Sequence, residues 1–339
     1  MTIAMSPTIL LLGAVALYLL RLSDEWLRQA FAIKSLTMKN AANPLRPFLA
    51  IGDSPWLAKW GELFGDIIDP LARIVRPDWS WSELGFAFTS LIVKCSIGGL
   101  IGGTIVRLTS LRFARKPQGS LRAAIKHSQR QYLSYLVAPA LPLMGVGILA
   151  IVGWLLGVCV SIAPDIGKPS LNAAWGLLLP LGLAMAVLLN VVALGWPLMV
   201  AAISTEDSDG FDGLARSYGL VVDHPFYAAF LICAAGAIGA VGLSLIQLLF
   251  DQAGLMATWS VALGYGSEIP RVTADWLSFW KMLSMGYAVS YFWSAWTVIY
   301  MLLRHCDDGT SLEEVAPDQV DKVVDESARQ TEPEVASNS

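Results

Sequence analysis

The sequence predicts an all-α integral membrane protein: about six transmembrane helices, two cytoplasmic interfacial amphipathic helices, and the outline of a parallel internal repeat. Three observations carry this. Of 339 residues, 55% are apolar and only 15% charged, where an ordinary soluble domain has about half and about a quarter. The charges are segregated, leaving long uncharged stretches between Leu84 and Leu303. Six apolar segments result, most of them near or above the ~20 residues a helix needs to cross a bilayer. The net charge of −4 says little about partners, since ten of the 27 acids follow Leu303.

The first segment, Ile9 to Leu20, is short and needs Ile3 to Pro7 to reach bilayer length. With no basic stretch before it and no small-x-small site before Arg21, it reads as an uncleaved anchor occupying residues 1–20. Residues 21–83 carry eight basic and eight acidic residues. Trp56, Trp60, Trp79 and Trp81 stand among charges in a stretch broken by Pro44, Pro47, Pro55, Pro70 and Pro77. This region reads as short amphipathic helices on the outer face, with tryptophan at headgroup depth. A five-helix membrane domain over 84–303 follows: Leu84–Val106, Leu133–Ile162, Ala173–Ile203, Phe226–Phe250 and Met282–Leu303. The tail, 304–339, has ten acids, three Lys/Arg and almost no aromatic residue, the composition of a disordered cytoplasmic segment.

Orientation follows from lysine and arginine in short loops. Arg107, Arg112, Arg115, Lys116, Arg122, Lys126 and Arg130 lie in one stretch with no acid among them. That loop is placed inside the cell, which puts both termini in the cytoplasm. These seven side chains are read as contacts to anionic lipid of the inner leaflet, each gaining about 1 kcal/mol. No nucleic-acid-binding motif accompanies them.

Two loops share one design. "GSLRAAIKHSQRQYLSYLVAP" opens with Ser120 as an N-cap, and Leu121, Ala124, Ile125 and Tyr132 form one face. "SDGFDGLARSYGLVVDHPF" opens with Ser208 or Asp209, and Phe211, Leu214, Ala215, Tyr218 and Val222 form another. The acidic cluster Glu206, Asp207, Asp209, Asp212 reads as a helix start: Asp209 caps the first turn, Asp207 and Asp212 favour the dipole, and Asp212 pairs with Arg216 four residues on. A calcium loop would end in a bidentate glutamate, and none follows Gly210. The two helix–loop–helix units running the same way suggest the repeat.

The stretches "GGTIVRLTSLRFARKPQGSLRAAIKHSQRQYLSYLVAPALPLMG" and "LGWPLMVAAISTEDSDGFDGLARSYGLVVDHPFYAAF" resemble a family of bacterial multi-pass membrane proteins with an Arg-rich "RFAR…SLREAL" helix and a "GWPLM…EGSDAFDALSRSY" segment. The likeness covers roughly Leu84 to Phe230. It departs at Asp207, where the family commonly has glycine, and at His224, where it often has arginine. It implies architecture and no chemistry. A more distant analogy to Yip-like membrane domains rests on the paired interfacial helices.

Lys94, midway along the second segment, is the most unusual residue, because a charge at that depth costs roughly 2.5–3.5 kcal/mol and usually faces a bundle interior or cavity. No intramembrane acid is apparent to balance it. Asn190, flanked by Pro180 and Pro197, either opens its helix toward a ligand or bonds a neighbouring helix. "GGLIGG" supplies Gly98–Gly102 and Gly99–Gly103 pairs, and Gly236, Ala240 and Ser244 repeat the spacing; both are packing faces, within one chain or between two. His127, His224 and His305, and Cys95, Cys159, Cys233 and Cys306, show no metal-ligand or catalytic spacing. No cofactor, metal or catalytic residue is expected. The leading reading is a non-enzymatic scaffold or accessory subunit acting through lipid, a membrane-protein partner or a second copy. The alternative is a small-solute or lipid transporter with a path near Lys94 and Asn190.

Overall fold

The computed structural model describes residues 6–32, 69–71, 73–74, 80–115, 120–162, 164–265 and 272–312. Most of the outer-face region, including Trp56, Trp60 and Trp79, lies outside these residues, as do Lys116 and the acidic tail beyond Leu312. Among the described residues there is no strand. The main helices are α1 (Pro7–Ala30), α2 (Trp81–Phe113), α3 (Leu121–Arg130), α4 (Tyr132–Ile162), α5 (Pro164–Glu206), α6 (Gly210–Asp223), α7 (Pro225–Tyr265) and α8 (Val272–Asp308).

Four of these are long and apolar enough to cross a membrane: α1, α2, α4 over Tyr132–Cys159, and α7 over Pro225–Leu263. A fifth is counted if α5, bent by 48° between Leu178–Val192 and Gly195–Glu206, is one span. The bend has a cause in Pro197, which lacks an N–H and crowds the carbonyl four residues back, at residue 193. The expected segment Met282–Leu303 does not join this set. Its tyrosines, tryptophans and serines lower its hydropathy, and they are there because α8 runs through the protein interior. Tyr287, Tyr291, Trp293, Trp296 and Tyr300 are all buried, as are Ser284, Ser290, Ser294 and Thr297. A helix surrounded by protein gains from polar and small residues in a way that a lipid-facing one does not.

α1 departs from expectation in where it finds its length. It starts at Pro7, with Ser6 at the N-cap, since proline is favoured at the first helical position. It then continues past Leu20 to Ala30, through Arg21, Asp24, Glu25 and Arg28. Arg28 pairs with Asp24 one turn earlier, and Phe31 stacks edge-on against Phe86 of α2. α2 begins with a capping box: the Glu83 amide donates to Ser80 Oγ and the Ser80 amide to the Glu83 carboxylate, both at 3.2 Å.

Glycines on α2 bring it against three aromatic side chains. A Cβ added at Gly98 would stand 2.6 Å from the Trp196 ring, and one at Gly102 would stand 2.4 Å from Trp293. Gly99 and Gly103 lie against Tyr135, and Trp196 and Trp293 meet edge-to-face at 5.6 Å. The "GGLIGG" stripe therefore packs within the chain, while Gly236 on α7 has nothing within 4 Å of its added Cβ. Because three ring atoms of Trp293 crowd the Gly102 site, Gly102→Ala forces the helices apart. The expected cost is about 1–3 kcal/mol, read by thermal unfolding in detergent against a Gly236→Ala control that changes little.

Candidate functional site: a polar hub at the end of α5

The end of α5 and the residue after it, Ser204 to Asp207, form a point where several helices are tied together. Ser204 works inward. Its carbonyl accepts from Arg107 Nη1 of α2 at 3.1 Å, and its hydroxyl lies 2.8 Å from Tyr135 OH of α4. Glu206 turns toward α6 and α8. Its carboxylate accepts from Tyr300 OH and lies 3.2 Å from Arg216 Nε and 3.3 Å from Arg304 Nε. Asp207 turns the other way, accepting from Gln131 Nε2 at 2.6 Å and from Arg130, with His127 Nδ1 at 3.9 Å. Two adjacent acids thus hold opposite flanks of one end of the bundle.

Asp207 manages this by leaving the helix. Its φ of +59° lies in the left-handed region, where aspartate is among the more tolerant side chains. Burial pushes the Asp207 carboxyl up, but hydrogen bonds from Gln131 and Arg130 and the charges of Arg130 and His127 outweigh it and hold the group below its usual value. A depressed carboxyl contributes stability that is complete above the unfolded pKa of about 3.9 and is lost as pH falls through the folded value. This group therefore leaves stability flat from about pH 8 to 5 and lowers it below about pH 4. Asp207→Asn should flatten that acid limb in a pH series of unfolding midpoints.

α6 is fixed by its small side. Asp209 is the N-cap, accepting from the Asp212 amide at 2.8 Å, as the sequence indicates. Gly210 and Gly213 lie so close to Ser134 and Ile203 that an added Cβ would be 2.8 and 2.6 Å away, and Ser217 and Leu220 complete the buried side. Phe211 is 68% exposed, Tyr218 47% and Val222 53%, whereas Leu214, expected on the same face, packs against the core with Val221; Phe226, at the start of α7, is 90% exposed. Arg216 does not rely on Asp212 as expected. It bridges Glu206 and Asp308, the latter at 2.7 Å, because both carboxylates converge on it from neighbouring helices. These charges outweigh burial, which lowers it, and hold its guanidinium pKa above its ordinary value.

α3 follows the same plan. Ser120 caps it, accepting from the Ala123 amide. Ala124, His127 and Ser128 are buried, and Thr104 of α2 donates to Ser128 at 3.1 Å. Leu121, Arg122, Ile125 and Lys126 are exposed. The seven basic residues separate accordingly. Arg107, 3% exposed, is a structural arginine of the hub rather than a lipid contact. Arg112 donates to Ser6 and so holds the start of α1. Arg115, Arg122, Lys126 and Arg130 remain at the surface, Arg130 while bonded to Asp207; Lys116 lies outside the described residues.

The intramembrane pair also separates. Lys94 is 5% exposed and faces Asp24 Oδ1 at 3.4 Å, so the extension of α1 supplies a carboxylate that sequence reasoning did not assign to the membrane. Asn190 lies on an exposed side of α5 and donates to the Ala186 carbonyl of its own helix at 2.7 Å. The structure does not bring the two together. Among the described residues, no group of three or more His, Cys, Asp or Glu is placed to hold a metal ion.

No protein-family model, curated protein or solved structure matches the chain.

Proposed function

We propose that the chain spans a bacterial inner membrane six times, α5 and α8 supplying the fifth and sixth spans. The start of α1 and the end of α8 face the cytoplasm, and the protein works without catalysis as a scaffold or accessory subunit through contacts with lipid. The orientation rests on the basic residues at the hub end. The functional reading rests on one observation: α3 leaves Leu121 and Ile125 exposed, and α6 leaves Phe211, Tyr218 and Val222 exposed, while other residues of each helix are buried in the bundle. A soluble surface does not favour Phe211, Tyr218 and Val222 on one exposed helix face; an interfacial helix with its apolar face in the headgroup region does. Arg122 and Lys126 next to Leu121 and Ile125 add the charge that selects an anionic leaflet.

Native mass spectrometry of the protein released from nanodiscs of mixed phosphatidylcholine and phosphatidylglycerol tests this. The wild-type chain should retain phosphatidylglycerol preferentially, and Arg122→Gln with Lys126→Gln should remove that preference. An unchanged preference in the double variant would exclude α3 as the lipid contact. The parallel relation between the α2–α3–α4 and α5–α6–α7 units belongs to the same proposal, supported by their shared order of long, short and long helices.

A further inference from the structure

We propose that the acidic C-terminal segment, residues 313–339, docks on the outward basic face of α3 and is displaced from it by anionic lipid, the displacement resting on the lipid reading above. The face has a defined chemistry. Arg122 and Lys126 stand one turn apart beside Leu121 and Ile125, all exposed, and no carboxylate occurs anywhere in residues 107–131. The inner side of α3 is already committed to the bundle through Ala124, His127 and Ser128, so a ligand for this helix must approach the outer one.

The segment has the complementary chemistry. Residues 313–339 hold eight acids and two basic residues. Asp318, Asp321, Asp325 and Glu326 are interleaved with Val320, Val323 and Val324, matching a face that alternates cations with aliphatic side chains. Its point of departure is also close at hand. Leu312 packs against the main core, Asp308 is bound to Arg216, and Arg304 lies against Glu206. The next residue after Glu206, Asp207, holds Arg130 at the end of α3. The tail's origin and α3 are therefore tied to adjacent acids at one end of the bundle, on its two flanks. A random-coil length of 27 residues corresponds to a root-mean-square span of about 30 Å, and a tether of that reach gives an effective concentration in the millimolar range. Weak charge pairing suffices at that concentration, and it competes with lipid headgroups for the same two cations.

Carbodiimide coupling, which joins a carboxylate to an amine only in direct contact, tests the contact on the full chain in nanodiscs, read by mass spectrometry of the digested product. In phosphatidylcholine discs at ~0.05 M NaCl, Lys126 should couple to acids of the 313–334 stretch. Most of that product should disappear at ~1 M NaCl, where the Debye length is about 3 Å, and in discs containing phosphatidylglycerol. Lys322, within the tail, reports that the tail acids are reactive. Coupling at Lys322 without coupling at Lys126 in neutral discs would overturn the docking. Coupling at Lys126 that persists undiminished with phosphatidylglycerol would keep the docking and overturn displacement by lipid. Phosphatidylglycerol retention by α3 without any tail coupling would leave the lipid reading standing and this inference refuted.

Discussion

Asp24→Asn should destabilise the protein by about 3 kcal/mol or more, and Lys94→Leu should cost clearly less. Removing a carboxylate from a largely buried ion pair is costly. Asp24 serves two cations, Arg28 at 2.5 Å and Lys94 at 3.4 Å, so its loss removes the carboxylate from both. Lys94→Leu instead leaves the Asp24–Arg28 pair intact and removes an expensive charge from a helix long and apolar enough to cross a membrane. The double variant Asp24→Leu/Lys94→Leu should recover part of the loss, since replacing both partners by apolar groups is often nearly neutral. Thermal or denaturant unfolding in a single detergent reads the order. If Lys94→Leu proves the more damaging single change, Lys94 has a role beyond its pairing with Asp24.

Glu206→Ala should be comparably severe, at about 3 kcal/mol, while Asp212→Ala should stay below about 1 kcal/mol. Glu206 is largely buried and meets Tyr300, Arg216 and Arg304 together. Its loss leaves a buried hydroxyl and two guanidinium groups without their shared acceptor. Asp212 is exposed in the first turn of α6, where its interaction with the helix dipole is worth only tenths of a kcal/mol. Because Arg216 also holds Asp308, the Glu206 variant should additionally expose the end of α8 to proteolysis near Arg304. Equal effects at Glu206 and Asp212 would refute the assignment of Glu206 as the centre of this flank.

What the sequence revealed follows from the range of each interaction. Asp209 was legible as a cap because its partner is three residues away; spacing also indicated the exposed Phe211, Ala215, Tyr218 and Val222, but it put Leu214 and Ala124 on the outward faces, and these pack inward. Asp24 was not, because Arg21, Asp24, Glu25 and Arg28 look like the exit from a membrane. Only the packing of α1 along α2 places Asp24 against Lys94, seventy positions later in the chain. Arg216 was matched to Asp212 by the local i,i+4 rule, whereas the chain brings it two carboxylates from other helices. Asp207 looked like part of a helix start, and its left-handed backbone, which sends it to Arg130 and Gln131, carries no local pattern that distinguishes it. Arg107 was grouped with its basic neighbours by position, although its place on the inner side of α2 makes it a bond to Ser204. Hydropathy marks α8 poorly for a related reason: its neighbours are protein, so its composition is that of an interior.

The central claim is that α3 and α6 lie with their outward faces in lipid, and the depth of those faces is the quantity to measure. Single spin labels at positions 125, 211, 218 and 222, in a variant lacking the four native cysteines, report collision rates with oxygen and with a water-soluble nickel chelate in phosphatidylglycerol-containing nanodiscs. The account predicts that all four labels are reached by oxygen and shielded from nickel, while a label at Lys126 is open to nickel. Labels at 211, 218 and 222 that are as open to nickel as the one at 126 would place α6 in water and contradict it.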